Sequence, residues 1–261
     1  MTHARPTIRL YLWPHRLLFL GPGMQAGLHR HHAAQLCMGL DGPLRLRARK
    51  DVGWDEQRGF YVPPDEPHEF TATATSTAIL YVEAESAEFA ALRVRMQGAA
   101  VARAADPLPC AIEAMRQLAA VGDSVEQADA ICLAWLGLAG SGQQRRTIDP
   151  RILDSLALIR TRLDQPLRLA ALARALNMSP SWLSHQFTEQ VGMPLRRYVL
   201  WQRLWRAVES ALKGHTLTEA AHAAGFSDSS HLSRTFRGTF GVSPSSLFGR
   251  RDQVVVCFAD A

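Results

Sequence analysis

The chain has 261 residues, 47% hydrophobic and 20% charged, with a formal net charge of +5, which is enough material for two domains with separate cores. No run approaches the roughly 18 apolar residues of a membrane span, and the opening "MTHARPTIRL" lacks the apolar centre of a secretion signal; no membrane partner is expected, and the expected location is the cytoplasm. Cys37, Cys110, Cys132 and Cys257 lie far apart with no CxxC pair, which suggests neither a zinc knuckle nor a disulfide framework and reads as buried thiols.

The first hundred residues read as short strands broken by turns. "RLLFLGPG", "QLCMGLDG", "PLRLRARK" and "AILYVEA" alternate or run apolar over strand length, and Gly-Pro, Asp-Gly and Pro-Pro mark the breaks. In "PLRLRARK", Leu44, Leu46 and Ala48 share one face and Arg45, Arg47 and Arg49 the other, the pattern of a half-buried antiparallel strand.

Within this region "GPGMQAGLHRHHAAQLCMGLDG" concentrates histidine. Alternation puts His29 and His31 on one side of a strand and His32 on the other, toward the surface. The order Gly23, His29, His31, Gln35, Gly42 resembles the first motif of the cupin barrel superfamily, with Gln35 where a glutamate is usual. A later "VPPDEPHEF" resembles the second cupin motif and offers His68 as a third imidazole, without that motif's usual glycine and terminal asparagine. The resemblance implies a cupin-like sensor barrel over residues 1–84. Three imidazoles and an amide oxygen can hold a divalent transition metal (Zn, Ni, Mn or Fe); the alternative is that the histidines line an organic pocket or simply pack.

Around Glu85 the period changes from two to three and four. "AEFAALRVRMQ", "PCAIEAMRQLAAV" and "SVEQADAICLAWLGLAG" read as helices over 85–140, which pack on the barrel or form a dimer interface. Residues 141–150 lose apolar content and read as a linker.

The basic charge lies beyond that linker. Residues 151–251 carry 14 Lys or Arg against 6 Asp or Glu, and residues 1–150 carry 15 against 16. Such asymmetry points to an anionic partner for the C-terminal part alone. There Leu183, Phe187 and Gly192 recur 49 residues later as Leu232, Phe236 and Gly241. Leucine and phenylalanine four apart form the inward stripe of a helix, and the glycine ends it. Each copy follows a shorter helix rich in small residues (Ala171, Ala173, Ala220, Ala221), the pattern of a helix-turn-helix.

Ser179 with Pro180 caps one second helix and Asp228 the other. A helix entering the major groove needs a narrow polar outer face. Ser229, Ser230, Ser233 and Arg234 supply it in the second copy, Ser181, Ser184 and His185 in the first, and Trp182 reads as packing or base contact. "LRRYVLWQRLWRAVESALKG" is a connecting helix, and Arg196, Arg197, Arg203, Arg206 and Arg237 are candidate phosphate contacts.

Residues 150–250 resemble the AraC/XylS family of bacterial transcription regulators. The match runs through Ala221, Gly225, Phe226, Asp228, Ser230, Leu232, Ser233, Arg234, Phe236, Arg237, Phe240, Gly241, Ser243 and Pro244. The resemblances together imply an α+β chain: an N-terminal antiparallel β-barrel, cupin-like, with flanking helices, then an all-α domain (151–250) of two helix-turn-helix units joined by a linker helix, and a C-terminal tail (251–261). They imply a regulator of promoter duplex DNA, without enzymatic activity, that senses a small-molecule or metal effector, works as a homodimer, and engages RNA polymerase if it activates. The competing function is a metal-dependent cupin enzyme with an accessory DNA-binding module.

Overall fold

The computed structural model describes residues 8–49, 51–97, 103–104, 109–122, 124–138, 148–249 and 253–259. Most of the 141–150 linker lies outside them. The chain forms two compact units, one of residues 1–145 with 238–261, the other of residues 146–237.

The first unit holds β1 (Ile8–Trp13), β2 (Arg16–Pro22), β3 (Gln25–His29), β4 (Ala33–Gly39), β5 (Leu44–Arg47), β6 (Asp55–Gln57), β7 (Gly59–Val62), β8 (His68–Thr71) and β9 (Ser76–Glu83). These are followed by α1 (Ala87–Arg95), β10 (Arg103–Ala104), α2 (Pro109–Val121) and α3 (Val125–Leu136). With β11 (Val254–Phe258), the strands make a seven-stranded sheet in the order β10-β7-β4-β9-β2-β1-β11 and a four-stranded sheet in the order β3-β8-β5-β6. They form two separate sheets, not the closed barrel expected from the sequence. The strands of the smaller sheet are only three to five residues long, and a register shift between Ala26 and His29 ends regular pairing of β3 early.

Strand β4 lies between β7 and β9 and is buried on both faces. Ala34, Leu36 and Met38 on one face join Leu80 and Val82 against Leu92 of α1, Met115 and Leu118 of α2, and Cys132 and Trp135 of α3. Alternation sends Gln35 and Cys37 to the other face. Polar ties fix the helices. Arg16, buried on β2, is ion-paired with Glu88 of α1 and Asp129 of α3. Arg9 donates to the carbonyls of Ala119 and Gly122, and the Tyr11 hydroxyl also donates to Gly122, so these side chains close the C-terminal end of α2.

Residues 254–258, read from sequence as part of a tail, instead form β11 (Val254–Phe258), parallel to β1; the β-branched run "VVVCF" suits a strand. Cys37 and Cys132 are buried thiols, and burial pushes both up to about 12. Cys110, at the first turn of α2, is exposed, and Cys257 partly so, contrary to the expectation of four buried thiols.

The second unit contains α4 (Pro150–Thr161), α5 (Leu169–Ala175), α6 (Pro180–Val191), α7 (Leu195–Leu212), α8 (Leu217–Ala223) and the start of α9 (Ser229–Phe240). The last residues of α9, with α10 (Pro244–Phe248), belong to the first unit. Leu183, Phe187, Leu232 and Phe236 are all buried, and Phe187 meets Tyr198 of α7 edge-on at 5.4 Å between ring centroids. No helix among the described residues is long and apolar enough to cross a membrane.

Candidate nucleic-acid interface and histidine cluster

The two short helix pairs are closed by the same turn. After α8, Phe226 N–H donates to the Ala221 carbonyl at 2.9 Å and Gly225 N–H to His222 at 3.0 Å. After α5, Met178 N–H donates to Ala173 at 2.8 Å and Asn177 N–H to Arg174 at 3.2 Å. Both are the paired bonds of a Schellman end, which needs one left-handed residue; Gly225 has φ 80° and Asn177 φ 54°. A Cβ on Gly225 would lie 2.4 Å from the Leu163 carbonyl oxygen, so glycine is needed there for space as well as for conformation.

The helices that follow start from side-chain caps. Ser179 accepts from Trp182 N–H at 3.2 Å ahead of Pro180. Asp228 accepts from His231 N–H at 2.7 Å, and these hydrogen bonds hold its carboxyl below the usual range. Helices α6 and α9 both span twelve residues and end at left-handed glycines, Gly192 (φ 90°) and Gly241 (φ 71°).

Ser181, Ser184 and His185 are exposed on α6, as are Ser230, Arg234 and Arg237 on α9, while Ser229 and Ser233 are half-buried. His185 is 79% exposed and 3.8 Å from Glu189, which leaves its ring on the surface. A shallow groove beside α6 is lined by Leu169, Pro180, Ser181, Ser184, His185 and Thr188. Trp182 is half-buried beneath the Arg151 guanidinium, 3.9 Å from its ring, and Arg151 is held by both carboxylate oxygens of Asp149. The indole thus has a packing partner on one face.

Arg196 and Arg197 on α7 are exposed and Arg206 half-buried. Arg203 has a structural use: its guanidinium donates to the carbonyls of Leu163 at 2.9 Å and Gln165 at 3.0 Å. Sequence alone cannot separate these uses, because carbonyl and phosphate oxygens take the same donor.

In the sheet unit, His29, His31 and His68 converge with ring nitrogens within 4.8 Å of one another. His29 and His68 are direct cross-strand partners of β3 and β8, with ring centroids 4.1 Å apart. His31 lies in the connection to β4, where the backbone bends and simple alternation no longer applies. The bend also buries His32, against the expectation of a surface position; its Nδ1 is 3.1 Å from Asp65 and its Nε2 3.8 Å from Glu85.

Each cluster histidine spends Nδ1 on a backbone carbonyl: His29 on Gly27 at 2.6 Å, His31 on Ala33 at 2.8 Å, His68 on Glu66 at 3.0 Å. The shared pattern puts the proton of a neutral ring on Nδ1 and the lone pair on Nε2. His68 Nε2 has no hydrogen-bond partner among the described residues, and His31 Nε2 is 3.0 Å from Gln35 Oε1. Burial, aided by neighbouring imidazoles at His29 and His68, pushes all three below the usual histidine range, His29 to about 3. They are neutral at physiological pH.

A family model described as a helix-turn-helix domain matches residues 172–250. Regulatory protein Ada of Salmonella typhimurium is 37% identical over 122 residues, covering 45% of this chain and 32% of its own length. The transcriptional activator RhaR of Pectobacterium carotovorum is 28% identical over 149 residues, 54% of this chain and 52% of its own. The chain thus spans at most about half the length of these curated relatives. ToxT of Vibrio cholerae superposes with a TM-score of 0.59 at 12% identity, over 90% of this chain and 98% of that one. A ToxT structure with bound unsaturated fatty acid gives 0.56 at 13%, over 90% and 95%. At such identity the likeness establishes the fold, two sheets followed by helices. Over residues 172–250 the repeated, capped helix pairs are thus similar to a helix-turn-helix domain found in bacterial transcriptional activators such as RhaR.

Proposed function

We propose that the chain is a one-component transcription regulator that reads promoter duplex DNA with α6 and α9 and senses an effector with its sheet unit. The observation that carries the reading is the repeated reader: two twelve-residue helices, each anchored by a buried leucine and phenylalanine, each polar outside. Arg234 is the strongest base reader, since a guanidinium can pair guanine through two hydrogen bonds; Ser181, Ser184, His185, Ser229, Ser230 and Ser233 supply weaker contacts, and Arg196, Arg197 and Arg237 meet phosphates. In this reading the protein works in the cytoplasm as a homodimer on paired sites, with RNA polymerase as partner where it activates. Sequence selection from a random duplex pool tests it: one enriched motif supports the reading, and recovery of no preferred sequence overturns it.

For the effector, His29, His31 and His68, with Gln35 beside them, fit a divalent transition metal such as Zn, Ni, Mn or Fe. Their Nδ1 atoms are engaged by carbonyls, which orients the Nε2 lone pairs. The unpartnered His68 Nε2 and the two acceptors facing each other at His31 and Gln35 suit a cation there. Bound there, a metal would supply a Lewis-acidic centre for an anionic effector. The described residues near the cluster offer no acid, base and nucleophile set, so a receptor is favoured over the cupin-enzyme alternative. The ToxT structure holding a fatty acid supports a carboxylate as effector class. Elemental analysis of protein purified without chelator or nickel resin tests the metal: near one equivalent, lost in His29→Ala, supports it, and less than about a tenth of an equivalent overturns it.

A further inference from the structure

Strands alone do not enclose the histidine cluster. Residues 238–261 belong to the same compact unit, and two of them, Phe240 and Gly241, lie on the imidazoles. The Phe240 ring is 6.5 Å from the His31 ring and 6.0 Å from that of Tyr81, centroid to centroid. The Gly241 carbonyl accepts from Gly27 N–H at 3.1 Å. Gly27 in turn accepts from His29 Nδ1 at 2.6 Å through its own carbonyl. One residue of β3 therefore holds the cluster with one backbone group and the end of α9 with the other.

Gly241 is closely fitted. A Cβ there would lie 2.5 Å from the Gly27 oxygen and 2.6 Å from His29 Nδ1, and its φ of 71° is left-handed. The same glycine terminates α9, as Gly192 terminates α6. In the first copy the residue before the glycine is Val191, buried at 1% exposure, and Gly192 is exposed. The two ends thus share a backbone form and differ in use: only the second is seated on a group of titratable, ligating side chains.

We propose that the Phe240–Gly241 turn is the read-out of the histidine cluster, so that loading the cluster changes the DNA affinity of α9 through Gly27. The inference rests on the sensing role proposed above for the cluster. An ion ligated by Nε2 makes Nδ1–H a stronger donor and fixes the ring plane. His29 then holds Gly27 more firmly, and Gly27 holds Gly241. Phe240, packed on His31 and Tyr81, must follow any change in the ring it covers, because a close-packed interior has few intermediate arrangements. The helix ending at Phe240 carries Arg234 and Arg237 on its exposed side. Coupling of this kind is reciprocal: DNA must change metal affinity by the factor with which metal changes DNA affinity.

The test uses the full chain, Zn(II) as probe, and the duplex recovered by sequence selection. DNA affinity is measured with and without saturating zinc, and zinc affinity with and without DNA. The wild type is expected to show reciprocal shifts of about fivefold or more, while Phe240→Ala binds both zinc and DNA with the shift reduced below about twofold. Hydrogen exchange on the wild type gives a reading independent of whether the variant folds: zinc is expected to slow exchange in residues 25–31 and 238–243 together. Zinc uptake without a change in DNA affinity, a full shift in Phe240→Ala, or zinc binding with exchange at 238–243 unchanged overturns the proposal while leaving the metal site standing. Failure of the wild type to take up zinc removes the metal reading, and the read-out with it.

Discussion

Substituting Gly225 by alanine tests whether the turn between α8 and α9 is held by close packing as well as by its conformation. The residue has φ 80°, and an added Cβ would lie 2.4 Å from the Leu163 carbonyl oxygen and 3.0 Å from Arg203 Nε. Gly214 supplies the control: its φ is 102°, and nothing lies within 4 Å of the Cβ position. Gly214→Ala therefore carries left-handed strain alone, about 1–2 kcal/mol. Gly225→Ala carries the same strain plus a clash with backbone that must move, roughly a further 1–3 kcal/mol, for a total near 3 kcal/mol. Arg203 bonds the same Leu163 carbonyl, so the displacement also loosens the base of α7. Urea unfolding followed by tryptophan fluorescence measures both variants, and Gly225→Ala should also weaken DNA binding by moving α9. Equal losses in the two variants would refute the close-approach argument.

Arg234→Ala should cost about 1–3 kcal/mol on the preferred duplex, relax selectivity at a single base pair, and leave the salt dependence nearly unchanged; titrations at several salt concentrations check this, and uniform loss on every sequence with a shallower salt slope would make Arg234 a phosphate contact. Arg203→Ala should lower the unfolding midpoint and keep the wild-type salt slope of DNA binding, because two of its donors anchor the guanidinium to the carbonyls of Leu163 and Gln165; a slope reduced by about one would contradict that. Metal-free protein should lose stability in acid. His29 titrates at about 3 in the fold against an ordinary 6.5, so its contribution is complete above pH 6.5 and drains away as pH falls toward 3, by about 2 kcal/mol at pH 5. His31 and His68 shift in the same direction. Thermal unfolding in chelator at pH 7.5 and pH 5 checks the sign, and an unchanged midpoint would refute it.

The tandem repeat was legible because a leucine, a phenylalanine four residues on and a glycine five beyond that form one physical statement, a helix with a buried stripe and an end, made twice. Both glycines are left-handed and all four apolar residues buried. The convergence of His29, His31 and His68 was legible from motif spacing, but the reason differs from strand alternation: two are cross-strand partners and the third sits in a bend. That bend misled the reading of His32, which is buried. Strand β11 follows α10 with no periodic segment to announce it, and its parallel partner β1 is more than 240 residues away in sequence. Asn177 gave no sign of matching Gly225, since asparagine reaches the left-handed region through its own short polar side chain.

The most direct measurement is a footprint of the purified chain on its selected duplex. Because α6 and α9 lie in one chain and are joined by the 18-residue α7, one protomer should protect an asymmetric site covering two successive major grooves, roughly 34 Å apart on one side of the duplex. Protection of both grooves, with Ser184→Ala weakening one and Arg234→Ala the other, is the predicted result. Protection of a single groove per protomer, or none on any sequence, would contradict the account.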